Sequence, residues 1–178
     1  ACMIGQIALQ HIEDRDFIYI GSGKETKQLA VCLSESEKSV TVATNDMEIA
    51  QILSINRHID TILTAGMISS NSTALKGELL LYTLERLVIK KAFISVDGVS
   101  LERGFSSDSY DMQGIIRFFG YNMCKLYIMF QSDKANQNAP YLLSTSKLPV
   151  YLISDFDLPA EFSAYYADHN IPLFTALT

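Results

Sequence analysis

The sequence predicts an α/β domain built on a mostly parallel, Rossmann-like sheet with helices on both faces, and three observations carry that prediction. Short runs rich in Val, Ile, Leu, Tyr and Phe recur along the chain, and most are continuous rather than alternating, as strands covered on both faces must be. Segments of helical spacing fill the gaps between them, which specifies crossover connections of the right-handed kind. The chain has 178 residues, 48% of them hydrophobic, enough for one well-buried core without covalent staples. Residues 1–178 are therefore read as one domain, with a small subdomain near 131–149.

In order, "ACMIGQIALQHIED" (1–14) reads as an amphipathic helix with Ile4, Ile7, Ala8 and His11 on one side. Because it opens in mid-architecture, something is expected to have been removed upstream. "FIYI" (17–20) is the first strand and "KETKQLAVCLSES" the helix after it. "SVTVAT" (39–44) and "DMEIAQILSIN" repeat the unit, with Asn45 or Asp46 as a natural cap for the helix. "TILTAG" (61–66) is followed by the helix "GELLLYTLERL", and "KAFISVD" (91–97) by "SYDMQGIIRFFGYNM". "KLYIMF" (125–130) leads into the polar stretch 131–149, a loop with a short edge strand. "VYLIS" (150–154), the helix "LPAEFSAYYADHN" and "PLFTAL" (172–177) complete the alternation.

Charge and composition exclude several functions. A net charge of −6 and a pI near 5.0 lack the positive field that nucleic acid requires, so this chain alone should not bind DNA. No apolar run reaches membrane length and no signal-peptide order is present, which predicts a soluble, cytoplasmic protein with no membrane partner. Three scattered cysteines, Cys2, Cys32 and Cys124, imply neither a disulfide framework nor a metal site. His11, His58 and His169 have no second ligand at metal spacing, and no nucleophile stands beside a base.

In open parallel sheets ligands bind outside the carboxyl ends of the strands. Those ends carry Gly21-Ser22-Gly23-Lys24-Glu25-Thr26, Thr44-Asn45-Asp46, Ala65-Gly66, Asp97-Gly98 and Gln131-Ser132-Asp133-Lys134. Glycines let backbone approach a ligand, helix-start N–H groups attract an anion, and Lys24 and Lys134 add charge. Singly, each has a plain structural reading: Gly23 turns the chain, and Asp97-Gly98 is a common turn pair. Together they fit a small, polar, anionic ligand. The first loop is not a P-loop, because Ile18 and Glu25 occupy the places of the leading Gly and of the Ser or Thr after Lys. Nor is it a dinucleotide fingerprint, since Thr26 replaces the third glycine.

The order of these signals resembles a known family. "IYIGSGKETKQLA" is similar to a strand and D-x-G-T-T helix start, "VTVATND" to V-V-T-N-S, and "TILTAG" to a strand ending in Gly-Gly. "TALKGELLLYTLERL" is similar to an S-L-x-G segment and helix, and "FQSDK" stands where the family has A-D-S-S-K. The specific part is "KKAFISVDGVSLERGFS", which resembles D-K-A-F-L-G-V-D-G-I-S-x-E-x-G-L-T. These are marks of the C-terminal sensor domain of DeoR-type transcriptional repressors, and the likeness runs from about residue 3 to the end. It implies a ribose-5-phosphate isomerase-like fold, a winged helix-turn-helix upstream that contacts DNA, a phosphorylated sugar as effector, and no cofactor. The ligand residues it points to are Gly21, Ser22, Gly23, Lys24, Glu25, Thr26, Thr44, Asn45, Gly66, Asp97, Gly98, Arg117 and Lys134. This chain departs from the pattern where Gly21 replaces the Asp, Lys24-Glu25 the Thr-Thr pair, Ile116-Arg117 the Lys-Arg pair, and Gln131 the Asp before Ser132.

The alternative is an active sugar-phosphate isomerase or deaminase of the same fold. Isomerases of that type resemble D-G-A-D-E followed by K-G-G-G, whereas here Ser100 and Arg103 replace the second acid and the lysine, and Arg103 cannot release a proton near neutral pH. A homo-oligomer is expected because "FFGYNM" and "LLLYTLERLVI" carry more apolar residues than one small domain needs to bury.

Overall fold

The computed structural model describes residues 3–178. The first two positions of the predicted opening helix, Ala1 and Cys2, lie outside them. A parallel sheet of seven strands forms the centre: β1 (Phe17–Ile20), β2 (Val40–Thr44), β3 (Ile59–Leu63), β6 (Lys91–Ser95), β9 (Lys125–Met129), β11 (Val150–Ile153) and β12 (Leu173–Phe174). Their spatial order is β12-β11-β9-β6-β1-β2-β3. All seven predicted strands are present, and β3 begins two residues earlier than "TILTAG" suggested, where Ile59 pairs with Val40.

Continuous apolar strands place alternate residues in two separate cores. Ile18 and Ile20 of β1, Phe93 of β6 and Tyr127 and Met129 of β9 point to one face. There they pack on α1 (Met3–Leu9), α2 (Lys24–Ser34) and α3 (Met47–Ser54), through Ile4, Ile7, Leu29, Leu33, Ile49 and Leu53. Tyr19, Ala92, Ile94, Leu126 and Ile128 point to the other face. It is covered by α4 (Glu78–Leu84), α5 (Asp111–Tyr121) and α6 (Ala160–Asp168), through Leu80, Leu84, Ile115, Phe119, Phe162 and Tyr166.

Two smaller sheets lie at the carboxyl rim. The hairpin of β4 (Met67–Ile68) and β5 (Leu75–Lys76) follows β3. A three-stranded antiparallel sheet joins β7 (Gly98–Ser100), β8 (Gly104–Ser107) and β10 (Tyr141–Leu143) in the order β10-β8-β7. The edge strand predicted inside 131–149 is β10, but the small subdomain draws its other two strands from residues 98–107, read from sequence only as a strand end and a family motif.

The chain moves from β1 outward through β2 to β3, and returns on the other side of β1 with β6. The β1–β6 junction is therefore the point where strand order reverses, and the rim above it is where such a sheet leaves a crevice.

A candidate anion cleft at the carboxyl ends of the strands

A cleft of about 300 Å³ opens at this junction. It is walled by Ser22, Gly23, Lys24 and Glu25 after β1, Asn45 after β2, Ser95 and Asp97 at the end of β6, and Lys134 after β9. Most of the buried polar side chains among the described residues lie on its walls or directly behind them: Glu25, Thr26, Thr44, Asn45, Asp46, Ser95, Ser106 and Ser107. Burying that much polar surface is costly unless it is hydrogen-bonded, and most of it is.

Asn45 organises the floor. Its Oδ1 accepts from the Tyr19 hydroxyl at 2.9 Å and from the Ser22 N–H at 3.1 Å, and its Nδ2 donates to the Leu75 carbonyl at 3.0 Å. One side chain thus ties the first loop, β2 and the β4–β5 hairpin together. Burial, with lesser help from the Asp46 and Asp111 charges, raises the Tyr19 pKa far above its ordinary value, so the phenol stays a neutral donor. Asp46 caps α3 by accepting from the N–H groups of Glu48 and Ile49 at 2.8 and 3.2 Å, and its other oxygen takes the Ser22 hydroxyl at 2.6 Å.

The first loop approaches β6 so closely that only glycine fits at position 23. Its φ is +157°, and an added Cβ would lie 2.3 Å from Ser95. Ser95 in turn accepts the Thr26 N–H at 3.1 Å, and the Thr26 hydroxyl closes on the Gly23 carbonyl at 3.1 Å. Among the described residues, the N–H groups of Gly23, Lys24 and Glu25 have no hydrogen-bond acceptor. They form a row of donors at the positive end of α2. Lys24 reaches across to Gln131 Oε1 at 3.2 Å, linking the first loop to the short 3-10 turn Ser132–Lys134. On the opposite wall Asp97 accepts the Asp108 N–H at 2.8 Å, holding the β8–α5 connection in place.

Of the residues singled out from sequence, Ser22, Gly23, Lys24, Glu25, Asn45, Asp97 and Lys134 come together on the cleft wall. Gly21 and Thr26 flank the loop from behind, the first through a bond from its N–H to the Phe93 carbonyl at 2.9 Å. Thr44 is fully buried beneath, accepting the Asp46 N–H at 3.2 Å. Gly98 begins β7 and is pressed against Ser106 and the Gln137 carbonyl, while Gly66 is packed on Leu75 and Lys76 of the hairpin. Arg117 lies apart, on a second groove of about 470 Å³ beside Gln113, Tyr121, Leu142 and Lys147.

Sequence reasoning missed Lys76, Ser95, Ser107, Asp108 and Asp111 among the polar residues of the wall. Asp111 begins α5 and carried the signal of a helix start, and Lys76 reaches the rim only because the short hairpin folds back beneath it. No group of three or more metal-binding side chains occurs among the described residues, and none of their helices is long and apolar enough to cross a membrane.

Comparison with known proteins places this geometry. In Escherichia coli K12 a putative sgc region transcriptional regulator is 26% identical over 96% of this chain and 65% of its own length. The HTH-type transcriptional regulator YgbI of the same organism is 28% identical over 97% of this chain and 67% of its own. IolR, an HTH-type regulator of Bacillus subtilis, is 23% identical over 97% and 68%. The chain thus spans about two thirds of the length of these relatives. Among solved structures, eIF2B beta from Chaetomium thermophilum superposes with a TM-score of 0.64 at 16% identity, covering 93% of this chain and 52% of that one. Ribose 5-phosphate isomerase A from Methanocaldococcus jannaschii gives 0.53 at 14% identity, covering 75% and 52%. Both show a shared fold, the isomerase-like sheet expected from the sequence. Residues 2–155 match the DeoR C terminal sensor domain, and the chain belongs to that family.

Proposed function

We propose that this chain is the effector-binding part of a transcriptional repressor, and that its effector is a small phosphorylated sugar held in the β1–β6 cleft. The observation that carries the reading is the row of unengaged N–H groups at Gly23, Lys24 and Glu25, at the head of α2 and beside Lys24 and Lys134. A phosphate oxygen accepts from such donors and gains from the helix dipole. Hydroxyl groups of a sugar find partners in Asn45, Asp97 and the serines of the opposite wall.

Such a ligand would bridge loops that belong to different strands, and its differential affinity for their open and closed arrangements would set the geometry of the DNA-reading part. DNA contact belongs, on this reading, to a segment outside this chain. The role is sensing rather than catalysis. Ser100 and Arg103 replace an acid and a lysine of the isomerases, and they are engaged with each other, the Arg103 N–H donating to Ser100 Oγ at 3.1 Å in the tight β7–β8 turn.

Thermal unfolding in the presence of a panel of phosphorylated sugars tests the reading. A true effector at 100 times its Kd should stabilise the chain by about 2.7 kcal/mol. The unphosphorylated counterparts should leave the transition unmoved. Interconversion of ribose 5-phosphate and ribulose 5-phosphate at enzymatic rates would overturn the non-catalytic assignment.

A further inference from the structure

One feature of the cleft does not suit a simple sugar phosphate. Glu25, the second residue of α2, lines the cleft and is only 2% exposed, yet its Oε1 has no hydrogen-bond partner. No lysine or arginine among the described residues forms an ion pair with it. Lys24, its neighbour, turns to Gln131 instead. A buried carboxylate oxygen without a partner is expensive, and the helix dipole offsets only part of that cost. Its position is also unexpected, because it stands in the row of N–H donors that would receive a phosphate. The rest of the wall adds to the imbalance: Lys24, Lys76 and Lys134 stand against Glu25, Asp97, Asp108 and Asp111. A dianionic phosphate on a neutral sugar would bring more negative charge into a cleft that already has an excess of it.

We infer that the effector carries a protonated amine as well as a phosphate, and that Glu25 is the specificity residue that pairs with the amine. This inference rests on the phosphosugar reading of the cleft and narrows it to zwitterionic ligands, phosphorylated amino sugars or amino polyols. The ammonium pairs with the Glu25 carboxylate, while the phosphate takes the N–H row with Lys134, and each cancels the repulsion the other group would meet alone. Charge-assisted hydrogen bonds of this kind are the strong ones, and leaving one partner buried alone is the larger penalty.

Calorimetric titration of the unaltered chain with glucosamine 6-phosphate, N-acetylglucosamine 6-phosphate and glucose 6-phosphate separates the terms, since the second ligand keeps the nitrogen and loses its charge. The amine should bind at least roughly tenfold more tightly than either neutral-ring compound. Glu25→Gln should abolish that preference and strengthen binding of glucose 6-phosphate and inorganic phosphate. Equal affinity for all three ligands in the unaltered chain, or a preference that survives Glu25→Gln, would overturn the role of Glu25 while leaving the phosphosugar reading intact. Failure of all three ligands and of phosphate to bind either protein would overturn both. The ratio among ligands in the unaltered chain decides the question even if Glu25→Gln does not fold.

Discussion

Single residues around the cleft act through contact distances that leave little freedom. Gly23→Ala would place a methyl group 2.3 Å from Ser95 in a backbone conformation that disfavours side chains, so it should cost roughly 2–4 kcal/mol of stability in urea titration. Restoration of stability by Ser95→Gly in the same chain would show that the clash, rather than the backbone angle, dominates. Lys134→Ala touches no core packing and should weaken binding of the effector by roughly 1.5–3 kcal/mol if the ammonium meets the phosphate. Unchanged affinity in calorimetry would remove Lys134 from the site. At this scale the sequence was informative where chemistry is local. Gly23, Lys24 and Asn45 follow strands directly, and the strand-end rule alone brings them to the cleft. Lys76 and Asp108 were not legible, because their arrival depends on how a hairpin of two-residue strands and a β8–α5 turn fold back at the rim. Arg117, suggested only by family likeness, belongs to a helix face that looks onto a different groove.

Elements differ in how plainly they were written. The inner strands β1, β2, β6, β9 and β11 are apolar runs covered on both faces, which explains why they could be read one by one, while the edge strands β3 and β12 are only partly covered. The strands β4, β5, β7 and β8 have two to four residues each, too few for any periodicity to register, and they exist because of tertiary pairing at the rim. The contact between the C-terminal side of α1 and β12 makes a pH prediction. His11 packs its ring against Tyr127 and Phe174, with centroids 5.2 and 4.4 Å apart. Burial first, and then the Lys91 charge, hold its pKa below the ordinary 6.5. The unfolded chain takes up that proton more readily than the folded one, so the contribution of neutral His11 is complete above about pH 6.5 and is lost as pH falls toward the lower folded value. The stability of the unaltered chain should therefore decline between pH 7.5 and 5.5 by more than that of His11→Gln, measured by urea unfolding at both values. Equal declines would show that other groups carry the pH dependence.

The molecule as a whole leaves one region poorly covered. β3 ends the sheet with no strand beyond it, and Leu63 at its end is 43% exposed. The hairpin and helix that follow add Met67, Ile68, Leu79 and Tyr82, each more than half exposed. They belong to one structure, since the Ala65 N–H donates to the Thr83 hydroxyl at 3.2 Å and ties the turn after β3 to α4. Only Leu80 and Leu84 of α4 are fully buried, so the all-round apolar character of "LLLYTLERLVI" is resolved into a packed face and a bare one. Exposed apolar clusters joined to a free strand edge invite pairing, and a soluble domain covers them or associates through them. Arg86 shields part of the cluster by lying 3.6 Å over the Tyr82 ring, but it leaves Met67, Ile68 and Leu79 open. A second copy of the chain fits the function proposed above, in which two DNA-reading segments would be held in register for paired half-sites. The chain at micromolar concentration should therefore elute with a light-scattering mass of at least twice 19.8 kDa. Leu79→Glu combined with Tyr82→Glu should return it to monomer without lowering its unfolding temperature appreciably, since neither side chain is buried within the subunit. A mass near 19.8 kDa for the unaltered chain would show that this face does not pair on its own, and would move the association to segments outside residues 1–178.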